Sequence, residues 1–141
     1  MKLLFLDFDG VLHPNFCQEG HYFSRSSYLI QALDGFSDQV EVIISSSWRF
    51  HWPADVLVQK LPAALAPLVV GLTPEVAPGP HQRFREIQAY LKSRRGHPDW
   101  RALDDADNEF PKGCSELIRC DGRVGLDNSA VASLRLWLKV P

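Results

Sequence analysis

Residues 3–10 read Leu-Leu-Phe-Leu-Asp-Phe-Asp-Gly. An apolar run ends in two carboxylates one residue apart, and a glycine follows at once. Acids are poor strand residues and costly to bury. A pair of them at the mouth of a buried strand therefore points to a cation or a reaction. Alternation along an extended chain puts Asp7 and Asp9 on one side and Phe8 on the other. Gly10 permits a sharp turn there, and such a turn leaves backbone amides free to face an anion.

The same pattern recurs outward from this stretch. Lys2 to Asp7, Val40 to Ser45, Leu68 to Leu72, Trp100 to Asp104 and a weaker Glu116 to Cys120 are short apolar runs, and each is predicted to be a strand. Helices are expected between them. One starts at a Ser26 or Ser27 cap and ends near Gly35. A second covers Ala54 to Lys60, with Pro53 in its first turn. A third, Gln82 to Arg95, carries Phe84, Ile87 and Leu91 on one side, and the last is capped by Asp127 with Val131, Leu134 and Leu138 inward. Strands alternating with helices imply an α/β fold: a three-layer, doubly wound parallel sheet of about five strands.

Ligands of such sheets bind outside the carboxyl ends of the strands. Asp7 and Asp9, the serines Ser45, Ser46 and Ser47, and Asp104 with Asp105 all fall at predicted carboxyl ends. Carboxylates gathered there repel unless a cation sits among them, and an all-oxygen set selects a hard ion, Mg²⁺. The five histidines show no zinc-type spacing. An aspartate beside Mg²⁺ can attack phosphorus while a second carboxyl moves protons. A hydroxyl from the serine run can bind a phosphate oxygen. Arg83, at the start of the third helix, is the candidate cation for the transferring group, with Arg85 the alternative.

Composition sets the outer limits. The chain has 141 residues, 45% of them hydrophobic and 23% charged, which suits a single domain over residues 1–141. The formal net charge of −2 leaves nucleic-acid contact possible but gives it no support. Three cysteines without a Cys-x-x-Cys pair argue against a disulfide framework. With no signal peptide and no membrane-length apolar stretch, a cytoplasmic protein without membrane contact is expected.

Phe-Leu-Asp-Phe-Asp-Gly-Val-Leu resembles the first motif of the haloacid dehalogenase-like (HAD) hydrolase superfamily. Ile-Ile-Ser-Ser-Ser-Trp-Arg resembles the second, Arg83-Phe-Arg-Glu-Ile the third, and Ala-Leu-Asp104-Asp105 the fourth. The Ser-Ser-Trp-Arg and Arg-x-x-Glu-Ile details look closest to small HAD-domain proteins, some linked to nucleic-acid repair. The resemblance implies that Asp7 is the nucleophile and a metal ligand, and that Asp9 is the general acid and base, binding the metal through its backbone carbonyl. It makes Ser46 the phosphate-binding hydroxyl, or Ser45 if the register slips by one. Arg83 steadies nucleophile and phosphate, and Asp105 or Asp104 completes the metal shell. Gly10, Ser47 and Arg49 are candidates for further substrate contacts. The implied activity is a Mg²⁺-dependent phosphomonoester phosphatase working through a phospho-aspartate.

Many members of that superfamily carry a cap domain after the first motif or between the second and third. The segments Gly10 to Ser27 and Phe50 to His81 are too short for one, so no cap is expected. By analogy, an open site suits a large phosphorylated substrate such as a nucleic-acid end or a phosphoprotein. The alternative is a HAD-like binding module with little turnover, recognising a protein or nucleic-acid partner. Trp48 is expected to pack. His13 and His51 are expected to be structural, since nothing in the sequence pairs them with a carboxylate or metal. Lys92, Arg94 and Arg95 are read as complementing a helix dipole.

Overall fold

The computed structural model describes residues 1–141. Its strands are β1 (Lys2–Leu6), β2 (Val40–Ile44), β3 (Val69–Leu72), β4 (Trp100–Asp104) and β5 (Leu117–Arg119). Its helices are α1 (Ser26–Leu33), α2 (Ala54–Lys60), α3 (Gln82–Lys92) and α4 (Asn128–Lys139). The strands form one five-stranded parallel sheet in the order β3-β2-β1-β4-β5. The chain winds outward from β1 through β2 to β3, then returns to the other side of β1 with β4. The winding direction therefore reverses beside β1, the position where such sheets bind ligands.

Strand alternation divides the core. Leu3, Phe5, Ile43 and Ala102 face α3 and pack with its Ile87 and with Phe110. Leu4, Leu6, Val42, Ile44 and Leu103 face the larger cluster, with Leu29 and Ala32 of α1, Leu57 of α2, and Leu134 and Leu138 of α4. All of these side chains are buried, and at about 25 cal/mol per Å² of apolar surface they are the main favourable contribution to folding. The result is the expected three-layer, doubly wound HAD-like architecture.

No cap is present. Between β1 and α1 the chain makes turns and one 3₁₀ turn at Glu19–His21. Between β2 and α3 it holds short turns, α2 and β3. No helix is long and apolar enough to cross a membrane.

Element ends differ from expectation for local reasons. β1 stops at Leu6 and β2 at Ile44, yet the Asp7 amide still donates to the Leu103 carbonyl (3.1 Å) and the Ser45 amide to Leu6 (2.8 Å). The polar residues thus sit one step past the strand ends, aligned by the last bonds of the sheet. α3 stops at Lys92. The Ser93 hydroxyl bonds back to the Tyr90 carbonyl (2.6 Å) and Arg94 turns to Glu41 (3.2 Å). Neither Ser26 nor Ser27 caps α1, because the Ser26 hydroxyl donates to the Phe23 carbonyl (2.7 Å). Asp127 does cap α4, accepting from the Ala130 amide at 3.0 Å.

Candidate active site

The register of the sheet places the site. Leu6 pairs with Ile44 on one side and Leu103 on the other, and Ile44 pairs with Leu72. One residue further along each strand lies a single row across the sheet edge: Thr73, Ser45, Asp7, Asp104. The parity of Phe5, Ile43 and Ala102 puts Ser45, Asp7 and Asp104 on the α3 side. Arg83, in the first turn of α3, reaches that side. Its Nη1 lies 2.7 Å from Asp104 Oδ2 and 3.2 Å from Asp7 Oδ2.

Asp7, Asp104 and Asp105 each offer an oxygen within 4.8 Å of the others. At that spacing each carboxylate pair repels by about 3 kcal/mol at an effective dielectric near 20. Arg83 contacts Asp7 and Asp104 but makes no ion pair with Asp105. Burial, reinforced by Asp104, pushes the Asp7 carboxyl well above the usual carboxylate range against the pull of Arg83. Burial also raises Asp104, although Arg83 and the Ala106 amide oppose it. Burial works against the Arg83 cation too, but the two carboxylates outweigh it and keep the guanidinium protonated. The cluster is short of positive charge, and its donors are all hard oxygens, which fits Mg²⁺.

The three acids have different free atoms. Asp7 Oδ1 accepts from the Phe8 amide at 2.8 Å, and its Oδ2 lies toward Arg83. Both Asp104 oxygens are taken, one by Arg83 and the other by the Ala106 amide at 3.0 Å. Asp105 Oδ2 accepts from the Asn15 side-chain amide at 2.6 Å. Gly10 makes this packing possible. It has φ +78°, and a Cβ there would collide with the Asp105 carboxylate, so only glycine suits the position. Its amide is not free for an anion as the turn suggested, because it donates to the His13 carbonyl at 2.9 Å.

Asp9 lies apart from the cluster. His13 Nε2 donates to its Oδ1 at 2.8 Å and Trp48 Nε1 to its Oδ2 at 3.0 Å. The His13 hydrogen bond, with help from Trp48 and against partial burial, lowers the Asp9 carboxyl. His13 is fully buried, and its Nδ1 accepts from the Phe23 amide at 3.2 Å. That contact leaves the ring proton on Nε2, aimed at Asp9. The expectation that nothing pairs His13 with a carboxylate is therefore corrected. The available signal was its spacing, four residues after Asp9 across the Gly10 turn. Trp48 packs as expected, edge-on to Phe8 and Phe23 with ring centroids 5.5 and 5.7 Å away, and its indole N–H is an added donor.

The serines divide as well. Ser46 is fully buried and its Oγ accepts from the Trp48 amide at 3.2 Å, capping the 3₁₀ turn Ser47–Phe50. Ser45 Oγ is buried without a protein partner. Ser47 is exposed at the start of that turn. Arg49 donates to the Ser46 carbonyl at 2.9 Å and pairs with Glu86 of α3 at 2.6 Å, both side chains 4% exposed. Its charge is thus paired within the protein, although its Nε and Nη2 are buried without a hydrogen-bond partner. Arg85 donates to the Pro80 and Ala77 carbonyls (2.7 and 2.9 Å) and stays with the loop before α3. Asn15 went unnoticed in the sequence, and Glu86 was read only as part of the Arg-x-x-Glu-Ile motif, since each pairs with a residue far along the chain.

The family model describing the HAD domain in Swiss Army Knife RNA repair proteins matches residues 3–131. The chain belongs to this family. In this HAD domain the matched span runs from β1 into α4, so it takes in every segment that brings a group to the sheet edge. No curated protein and no solved structure matches the chain.

Proposed function

We propose that this HAD domain is a Mg²⁺-dependent phosphomonoester phosphatase that acts on nucleic-acid ends through a phospho-Asp7 intermediate. The observation that carries this reading is the sheet-edge row: a buried nucleophilic carboxylate between an unpartnered hydroxyl and a second carboxylate, with Arg83 bridging the two acids. The description of its family, RNA repair proteins, supports a nucleic-acid substrate.

In this reading Asp7 Oδ2 attacks phosphorus, and the bond from phosphorus to the leaving oxygen breaks. That oxygen takes a proton from the Asp9 carboxyl. A water then attacks the phosphoryl group, giving its proton to Asp9, and the bond to Asp7 breaks to regenerate the carboxylate. The N–H donors on Asp9 favour its ionised form, so Asp9 enters the first step as the acid with a proton taken from solvent or from the preceding hydrolysis, and once that proton is given the same donors suit it to the base step. Ser45 is the better placed of the two serines for the phosphate, since it shares the α3 side with Asp7 and its hydroxyl is unspent, whereas Ser46 caps a turn. Arg83 neutralises charge on the transferring group. Asp7 and Asp105 would hold Mg²⁺ directly, with Asp104 fixing Arg83, and a bound ion would supply positive charge to the phosphoryl oxygens.

Phosphate release from 3′- and 5′-phosphorylated oligoribonucleotides, with and without Mg²⁺, tests the reading. The expected result is Mg²⁺-dependent release that falls at least about a thousandfold in Asp7→Asn. Activity retained by that variant would overturn the nucleophile assignment. The competing reading, a binding module with little turnover, draws on Asp9, both of whose oxygens are already occupied. Tight oligonucleotide binding without phosphate release would favour it.

A further inference from the structure

A cavity of about 700 Å³ opens directly beside Asp9. It lies between the loop after β1 and the segment after β2, and its walls include Phe16, Tyr22 and Trp52. We propose that this cleft receives the terminal nucleobase of a single-stranded RNA substrate, stacked on Phe16 and Trp52. The proposal rests on the phosphatase reading for the phosphate's position and adds the group that is recognised next to it.

Phe16 is the decisive residue. It is wholly exposed, at 106% of the reference area, and its φ of +59° is in the left-handed region, which a bulky L-residue rarely adopts. Phe23 shares that conformation, with φ +63°, but it packs against Phe8, His13 and Trp48. Packing offsets the strain at Phe23 and nothing in the protein offsets it at Phe16. Strain of this kind persists at sites where a ligand uses the geometry. Phe16 also follows Asn15, whose side chain holds Asp105, so its backbone is adjacent to a residue bonded to the carboxylate cluster. Across the cleft, Trp52 is 44% exposed and carries Lys60 4.3 Å from its ring centroid.

The charge of the cleft selects the occupant. Lys60 is its one Lys or Arg, set against Asp9 and Glu19. A groove that tracked a phosphate chain would be strongly basic, whereas flat aromatic walls of near-balanced charge suit the face of a neutral base. Stacking of this kind tolerates any sequence, as the repair of ends requires. The volume also falls within the range that holds a small ligand.

Binding without turnover tests the cleft separately from the chemistry. The Asp7→Asn protein would be titrated with a dye-labelled pentaribonucleotide bearing a terminal phosphate, and with the same oligomer carrying an abasic terminal residue, each read by fluorescence anisotropy in Mg²⁺. The base is expected to tighten binding by about tenfold or more. Adding Phe16→Ala or Trp52→Ala should collapse that ratio toward one, with circular dichroism melting to confirm the fold. Equal affinity for the two oligomers, a ratio unchanged in both variants, or tighter binding of a phosphotyrosyl peptide would each overturn the proposal. A tenfold ratio together with a wild-type protein that releases no phosphate from the same oligomers would sink the phosphatase reading and leave the cleft standing.

Discussion

Asp7 shows what a buried cluster of acids costs a small protein. Its carboxyl is buried, faces two other acids within 4.8 Å, and shares Arg83 with one of them. Burial first, then Asp104, raise its proton affinity in the folded state above that in the unfolded chain. The folded protein therefore holds more protons than the unfolded one between the ordinary carboxylate pKa and the raised value. Across that window stability falls as pH rises. In the metal-free protein this penalty therefore grows as pH rises above the ordinary carboxylate range. Asp7→Asn removes one of the three charges at nearly constant shape. In EDTA at pH 7 it should raise stability by about 1 kcal/mol or more, or about 3 °C in the thermal midpoint. The gain should shrink as the pH approaches 4, and Mg²⁺ should stabilise the wild type more than the variant. Calorimetry across pH checks this, and a lower midpoint for the variant at pH 7 would contradict the electrostatic account.

At the scale of elements, the site depends on how the turn after β2 and the helix α3 are fastened together. Ser45 and Ser46 come from the first and Arg83 from the second. The buried Arg49–Glu86 pair, at 2.6 Å, joins the two. Breaking one partner of such a pair strands a charge, which costs about 3–5 kcal/mol, while replacing both with apolar groups of similar size is often near neutral. Arg49→Met should therefore destabilise by about 3–5 kcal/mol in urea unfolding, and Arg49→Met with Glu86→Leu should recover most of the loss. If the double variant is no better than the single, Arg49 acts through its bond to the Ser46 carbonyl and not through the ion pair. Arg49 also marks a limit of sequence reading. Its position two residues past the serine run suggested a phosphate contact, and the acid that engages it lies 37 positions away on another helix. The strands were legible because continuous apolar runs and terminal acids are local properties. The helix ends at Ser26 and Lys92 were not, because side-chain bonds to Phe23 and Tyr90 decide them. Likewise the acids at 7, 104 and 105 could be placed together from topology, while the tie between Asp9 and His13 needed the turn that folds one onto the other.

For the whole molecule, charge determines how far from the site the proposed nucleic-acid substrate would be held. The chain carries a formal net charge of −2, and its exposed arginines near the sheet edge are already engaged. Arg119 pairs with Asp107 at 3.4 Å and Arg123 with Asp121 at 2.9 Å. With no cap domain and these two arginines paired, the grip should end at the terminal phosphate and its base. Salt then provides the measurement, since each neutralised phosphate of a single strand adds about −0.7 to the slope of log affinity against log salt. One contact predicts that raising salt from about 50 to 200 mM weakens binding of a phosphorylated oligoribonucleotide by only about threefold, against a thousandfold or more for a protein gripping many phosphates. For the same reason a pentamer and a twentymer should bind within about twofold of each other. A slope corresponding to four or more phosphates, or a strong preference for the longer oligomer, would mean that Arg119 and Arg123 leave their carboxylate partners for the strand. The substrate would then be held along its backbone and not at its end.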